Sequence, residues 1–593
     1  MSNPRRFRLP TGNRRAFLGS AVAGGLLPSR LVDRAVGQER LTLNQAAATV
    51  HPLATQSAMR ILRSGGNAVD AAISAALVLG VVDGHNSGVG GGCLVLIRRS
   101  NGQLLAIDGR ETAGLAAHET MFVRDGKADP SLSQNGPLAC GVPGQIAAFK
   151  QMHATSGRLD WKELFADAHR AASEGVAASK SIGRTIAAEA VQLQKYPASR
   201  AIYFHPSGKP IAEGERLIQK DLANTLAMIS EQGPQWFYDG PFATACETYL
   251  KSIGGILTRE DFRNYQAKTR TAIRTPYRQY EVIGFPTPSS GGMHIAQMLM
   301  MLQPFPVGAW MRSRPDAYYH LLCEVMKRAF ADRAYWLGDS DFVDVPEGLL
   351  DPTYALDRMS DFNPDQASMG IEHGWPADAN QQANSPHGVS SSEDKKHTTH
   401  LTTADDEGNW VAMTCTVNTS WGSKVTIPGT GVILNNQMDD FSISPGIPNA
   451  FGLIGSQANA VAAGKRPLSS MSPTMVLDSK GQPVLTAGGA GGPRIINATL
   501  QVLLRVLDGG YRVNQAVDAP RVHHQWQPDQ LLIEDQIGVG TSLEISPDLR
   551  KQLMKLGHPW KASSSIAICQ AIARQGDRLT AAHDPRAQGS SEQ

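Results

Sequence analysis

Cysteine is scarce, with six in 593 residues at positions 93, 140, 246, 323, 415 and 569, and no two form a C-x-x-C pair. That spacing excludes a zinc ribbon or a thioredoxin-type redox motif; several of the six sit in apolar runs such as Cys93-Leu94-Val95-Leu96-Ile97, where buried free thiols acting as small hydrophobes are expected. The histidines likewise lack metal-ligand spacing: His523-His524 stands without an H-E-x-x-H pattern and is expected to be a packed or hydrogen-bonded pair. No stretch beyond the N-terminus reaches the roughly 18 uncharged apolar residues of a membrane span. The best candidate, Ala68 to Val82, is interrupted by Asp70 and reads as a buried helix capped by Asn67. Charge is also nearly balanced, with 56 basic and 54 acidic side chains. That leaves no electrostatic case for nucleic-acid binding. Finally, neither glycine-rich run, Gly88 to Gly92 or Gly488 to Gly492, ends in the Lys-Ser/Thr of a phosphate loop, and the first precedes a strand, so it reads as a tight turn.

What is present begins with an export signal. Asn13-Arg14-Arg15-Ala16-Phe17-Leu18 opens an apolar run to Leu27, and Ala35-Val36-Gly37 supplies small residues for cleavage, a pattern of the twin-arginine type. Removing residues 1–37 takes away seven arginines and Asp33 and changes the formal charge from +2 to −4. The mature chain is therefore expected in the periplasm or outside the cell. With 41% hydrophobic residues it can bury a large core. From Leu41 onward helices and strands alternate. Residues 150–280 read as amphipathic scaffold, Pro286 to His294 as a turn entering a helix with His294 a helix residue, and residues 364–396 as a polar, mobile tail.

That tail leads into Lys395-Lys396-His397-Thr398-Thr399-His400-Leu401-Thr402, followed by Gly408 to Asn418. Asp405 to Asn409 is a turn-former between flanks rich in Thr, Val and Trp, which predicts a β-hairpin. Centred on Glu407, residues whose numbers sum to 814 face one another, so Thr416 stands opposite Thr398. A threonine hydroxyl needs an adjacent base to become a nucleophile, and the first residue of a chain carries one in its own α-amine. That role would require a cut between His397 and Thr398.

Three further stretches, Asn435 to Phe441, Lys465 to Thr474 and Gly488 to Ile496, together with this hairpin, resemble the γ-glutamyltransferase (glutathione hydrolase) family of N-terminal nucleophile hydrolases. The resemblance runs from about Leu41 to Arg586. It implies an α/β fold of four layers, αββα, formed by two intertwined subunits, residues 38–397 and 398–593. It implies catalysis by Thr398 with Thr416 orienting its hydroxyl, and an oxyanion hole at Gly491 and Gly492. It further implies an α-carboxylate site at Arg110, Ser469 and Ser470, and an α-amino site at Asn418, Gln437 and Asp440. Ser444 to Gly452 resembles the family's lid loop, with Phe451 where well-known bacterial members carry Tyr. The donor implied is glutathione or a related γ-glutamyl compound and the acceptor water, an amino acid or a peptide; neither a cofactor nor a metal is implied. Two alternatives stay open at this point: an acylase for glutaryl-type β-lactam side chains, and a non-catalytic exported protein that binds γ-glutamyl peptides.

Overall fold

The computed structural model describes residues 44–379, 397–443, 447–541 and 544–593. The signal-like residues 1–37, residues 380–396 of the polar tail and the lid residues Ser444-Pro445-Gly446 lie outside the described residues.

Two antiparallel sheets stack face to face. The first runs, in spatial order, Ser590–Glu592, Ala46–Thr49, Thr399–Ala404, Trp410–Thr416, Gly92–Arg98, Leu104–Gly109 and Lys268–Arg270. The second runs Arg578–His583, Ile568–Gln575, Pro483–Ala490, Thr474–Leu477, Tyr280–Gly284 and Ile273–Tyr277. The two-residue period of a strand explains the layering. In Gly92–Arg98, Leu94 and Leu96 enter the core between the sheets, while Cys93, Val95 and Ile97 face a helical layer. In Trp410–Thr416, Trp410 and Ala412 take the inner face and Val411, Met413 and Cys415 the outer one. The second sheet does the same: Met475 and Leu477 point inward and Val476 outward. Because both faces of both sheets are covered, the strands are apolar on both sides and the order is helix, sheet, sheet, helix, as the resemblance implied.

The helix Ala68–Val82 covers the first sheet. It is buried almost throughout and starts at a capping box in which Asn67 and Asp70 each bond the other's backbone. On the other side, Ser290–Leu302, Pro315–Trp336 and Arg494–Leu507 cover the second sheet. Ser289 caps the first of these, and His294 inside it is buried with both ring nitrogens on backbone carbonyls, at 2.7 Å each. No helix among the described residues is long and apolar enough to cross a membrane. All six cysteines are buried thiols.

The tail expected from 364 is a correction in its first part. Residues up to 379 are tied down: Lys327 donates to the Ser368 carbonyl at 2.6 Å, Gly374 N–H to Asp332 at 2.8 Å and Trp526 Nε1 to the Ile371 carbonyl at 2.6 Å. His373 also stacks on Tyr335 with ring centroids 3.6 Å apart. A few aromatic and backbone contacts hold a segment whose composition offers no periodic apolar face.

Candidate active site

Asp405 fixes the hairpin turn by accepting from Glu407 N–H at 3.0 Å and Asn409 N–H at 2.8 Å. The register that follows sets Thr399 opposite Cys415 and His400 opposite Thr414. It brings the hydroxyls of Thr398 and Thr416 to 3.0 Å. Thr416 Oγ1 also accepts the Asn418 N–H at 2.9 Å. Beneath it, Gly91 comes so near that a Cβ there would lie 2.0 Å from the Thr416 carbonyl oxygen. The turn expected at Gly88 to Gly92 thus seats the strand that carries Thr416.

Thr398 is 7% exposed and has φ +104°. A β-branched residue at positive φ is disfavoured, and such backbone strain is worth about 1–3 kcal/mol. It is stored next to the bond joining His397, which is half-buried, to Thr398. The adjacent side chains point elsewhere. Thr399 donates to Asp83 at 2.5 Å, and His400 bonds Thr414 through Nδ1 at 2.8 Å. Burial pushes His400 down to about 3, so it stays neutral, engaged away from Thr398.

The strand Pro483–Ala490 ends at Gly491 and Gly492, which have φ +138° and +60°. Pro493 and the helix Arg494–Leu507 follow. Among the described residues, neither glycine N–H donates to another protein group. Two free N–H groups at a helix N-terminus suit a developing oxyanion. Phe451 is folded over Gly492: a Cβ there would lie 2.6 Å from its ring. Asn449 Oδ1 holds that turn by accepting from Phe451 N–H at 3.0 Å and Leu453 N–H at 3.1 Å.

Arg110 follows the strand Leu104–Gly109 and is buried. Its Nε donates to the Pro467 carbonyl at 3.0 Å and its Nη2 to Asp440 at 2.5 Å. Gln437 Nε2 donates to the same Asp440 oxygen at 2.7 Å, within the short turn Gln437–Asp440. The residues expected to divide a ligand's carboxylate and amine therefore meet each other. Asp439, one residue away, does a different job: it accepts from Ser133 at 2.7 Å and from Ala450 N–H at 2.9 Å, and burial pushes it up to about 6. Asn418, at φ +81°, donates its Nδ2 to the Asn436 carbonyl at 3.0 Å instead of reaching Asp440 directly. Ser469 Oγ accepts from Met471 N–H at 3.0 Å, and Ser470 Oγ accepts from Arg333 at 3.4 Å.

These groups form one connected site. Thr398, Thr416 and Asn418 lead through Asn436 to the Gln437–Asp440 turn; Asn449 Nδ2 reaches Asp440 at 3.5 Å and carries Phe451 onto Gly492. Sequence reasoning missed Arg333, Glu111 and Asp83. Glu111 lies 3.6 Å from Arg110, and burial raises it to about 7. Asp83, at the end of the Ala68–Val82 helix, is likewise raised to about 7 by burial, opposed by its bonds from Thr399 and Asn86. None stands in a motif of its own.

Away from the site, His320, Glu324 and His558 bring ligand-type atoms within 4.8 Å, a grouping invisible in sequence because the histidines are 238 positions apart. His320 Nδ1 and His558 Nε2 bond each other at 2.7 Å, and Lys327 and Arg328 hold Glu324 at 2.5 and 2.6 Å. Two cations on the one carboxylate make this a hydrogen-bonded ion cluster in preference to a cation site. His523 and His524 are hydrogen-bonded, to Asn497 at 2.8 Å and Asp529 at 3.0 Å, as expected.

Residues 54–593 match the family model described as gamma-glutamyltranspeptidase. The chain is 38% identical over 549 residues to the glutathione hydrolase proenzyme of Escherichia coli K12, covering 91% of this chain and 90% of that protein. Among solved structures it resembles the cephalosporin acylase from Bacillus halodurans (TM-score 0.79, 26% identity, 93% of this chain and 95% of that chain). It also resembles the gamma-glutamyltranspeptidase of Helicobacter pylori (TM-score 0.54, 34% identity, 56% of this chain and 96% of that chain). With the paired threonine hydroxyls and the glycine loop in place, the match across nearly the whole length settles the assignment: this chain belongs to the γ-glutamyltranspeptidase family.

Proposed function

We propose that the protein is a self-processing γ-glutamyltransferase and glutathione hydrolase whose nucleophile is Thr398. The observation that carries this reading is the Thr398–Thr416 hydroxyl pair at 3.0 Å on a residue strained at φ +104°. Thr398 Oγ attacks the His397 carbonyl carbon, the C–N bond breaks, and the acyl group moves from nitrogen to oxygen as an ester. Water then hydrolyses the ester, leaving His397 with a carboxylate and Thr398 with a free α-amine. The resulting chains, 38–397 and 398–593, stay together because strand Thr399–Ala404 is paired with Ala46–Thr49 of the other chain, and Trp410–Thr416 with Gly92–Arg98.

The freed amine titrates near pH 8 when unperturbed and serves as the base at neutral pH. Thr398 Oγ then attacks the γ-amide of glutathione or a related donor. Gly491 and Gly492 donate their N–H groups to the oxyanion, each such donor being worth roughly 3–4 kcal/mol in acyl transfer. Asp440, with Gln437 and Asn418, takes the α-ammonium, while Arg110, Ser469 and Ser470 take the α-carboxylate. For this the donor's own charges replace the Arg110–Asp440 contact, exchanging one ion pair for two. Phe451 keeps the aromatic part of the lid, and shields the acyl-enzyme until water or an amine acceptor enters. The N-terminal 37 residues direct export, by the twin-arginine route, to the periplasm or beyond it.

The fold is shared with a cephalosporin acylase, so an acylase of glutaryl amides is the competing reading. The Gln437–Asp440 pair favours donors with an ammonium group, which glutaryl amides lack. Rates on γ-glutamyl and glutaryl anilides with one leaving group decide between them: the γ-glutamyl compound should react at least tenfold faster, and a preference for the glutaryl one would reverse the assignment. Thr398→Ala should abolish both processing and turnover; a protein that binds donors without turning them over would instead be a binding protein.

A further inference from the structure

Arg333 lies in the last turn of the helix Pro315–Trp336 and is 5% exposed. It borders the cleft that Asp440, Asn449, Asn459 and Leu468 also line. Its hydrogen bonds go to hydroxyls: Nε donates to Ser290 Oγ at 3.0 Å and Nη2 to Ser470 Oγ at 3.4 Å. Ser290 in turn donates its Oγ and its N–H to the Ser469 carbonyl, at 2.8 and 2.9 Å. The guanidinium therefore braces the Ser469-Ser470 turn from behind, through one serine directly and the other by relay.

What Arg333 lacks among the described residues is a carboxylate within ion-pair distance. Its sequence neighbour Asp332 is turned the other way and satisfied by Tyr354 at 2.8 Å, Gly374 N–H at 2.8 Å and Arg358 at 3.2 Å. The other buried arginines of the region are paired, Arg110 with Asp440 and Arg466 with Asp108, each at 2.5 Å. Burial brings the Arg333 guanidinium down to about 10, with the nearby Asp440 opposing, so it remains charged at neutral pH. A buried cation without its counter-ion is costly unless a ligand supplies one. Arg110 holds Asp440, and Glu111, 3.6 Å from Arg110, is raised to about 7 by burial, so among the described residues Arg333 is left without a carboxylate of its own. An α-amino acid head group, neutral overall, re-pairs these charges: its ammonium meets Asp440 and its carboxylate faces two guanidiniums.

We infer that Arg333 is a positioning residue for the donor's α-carboxylate, holding the Ser470 hydroxyl toward it and supplying the second positive charge; this rests on the function proposed above. Donors that keep the carboxylate depend on Arg333, and donors that lack it do not.

The test compares the processed parent protein with Arg333→Met and Arg333→Lys on two anilides that share a leaving group, γ-glutamyl and 4-aminobutyryl, the second lacking the α-carboxylate. Arg333→Met should raise KM for the γ-glutamyl anilide about tenfold with kcat changed less than about twofold, the loss of roughly one charge-assisted contact. Arg333→Lys should recover most of that KM. The kcat/KM on the 4-aminobutyryl anilide should stay within about twofold of the parent value in both variants. An unchanged γ-glutamyl KM in Arg333→Met, or an equal loss on both anilides that Lys does not rescue, overturns the inference while leaving the function standing. A parent protein inactive on the γ-glutamyl anilide overturns the function and the inference together.

Discussion

Replacing Thr416 by valine removes one hydroxyl and keeps the shape of the side chain, so it isolates what that hydroxyl does. Two bonds are lost: the 3.0 Å contact with Thr398 Oγ1 and the 2.9 Å acceptance of the Asn418 N–H. The second loss leaves a buried donor unpaired and acts on stability, by about 1–3 kcal/mol. The first acts on rate. As the Thr398 hydroxyl gives up its proton its oxygen gains negative charge, and a hydrogen bond to a charged group is worth about 1.5–3 kcal/mol, or roughly ten- to 150-fold in rate. Synthesis of the chain in a cell-free system, with timed gel electrophoresis, would follow conversion of the full-length chain into two fragments, while a thermal melt reports stability separately. Thr416→Val should slow conversion by about that factor, and Thr416→Ser, which keeps the hydroxyl, should stay within about fivefold of the parent. Conversion of Thr416→Val at the parental rate, or a serine variant as slow as the valine one, would refute the assignment of the effect to the hydroxyl.

Gly488→Ala should destabilise the protein by at least about 1–3 kcal/mol, because the new Cβ lands 2.2 Å from the buried His400 ring; a thermal melt matching the parent would contradict this. Gly492→Ala should cut the acylation rate about 100-fold or more, since its Cβ lies 2.6 Å from the Phe451 ring and φ is +60°; rapid-mixing kinetics on a chromogenic donor measure it, and the companion change Phe451→Ala should recover part of the loss by clearing the space. Burial raises Asp83 to about 7. The folded state therefore keeps a proton that the unfolded state releases near pH 4, and the group's stabilisation is fully present below about 4 and lost as pH rises toward 7. Asp83→Asn should flatten that fall, gaining stability over the parent at pH 8 relative to pH 5. Melting curves at the two values test it, and parallel shifts would show that Asp83 is not the group responsible.

The hairpin that carries Thr398 and Thr416 was legible because its information is local. The turn chemistry of Asp405 to Asn409 sets the register, and the register alone puts Thr416 against Thr398. What the hairpin could not announce is its place at the centre of a seven-stranded sheet, between Ala46–Thr49 and Gly92–Arg98, since those pairings join segments more than 300 residues apart. The buried helix Ala68–Val82 and its cap were readable from small residues after Asn67. The contact between Arg110 and Asp440 was not: the resemblance implies a separate role for each residue, and their meeting at 2.5 Å is a product of the fold. Arg333 was hidden for the opposite reason, as one charge among many in a helix whose buried face carries Glu324, Lys327, Arg328 and Asp332. Composition also misjudged residues 364–379, because tethering by His373, Gly374 and Ile371 uses single contacts in place of a periodic pattern.

The central claim is that Thr398 becomes an N-terminus by its own attack on His397. Intact mass of the purified protein, with N-terminal sequencing of the smaller fragment, tests it most directly. Two chains, the smaller starting Thr398-Thr399-His400, are the predicted result. A single unbroken chain after prolonged incubation would mean that Thr398 never gains its amine, and would contradict the account.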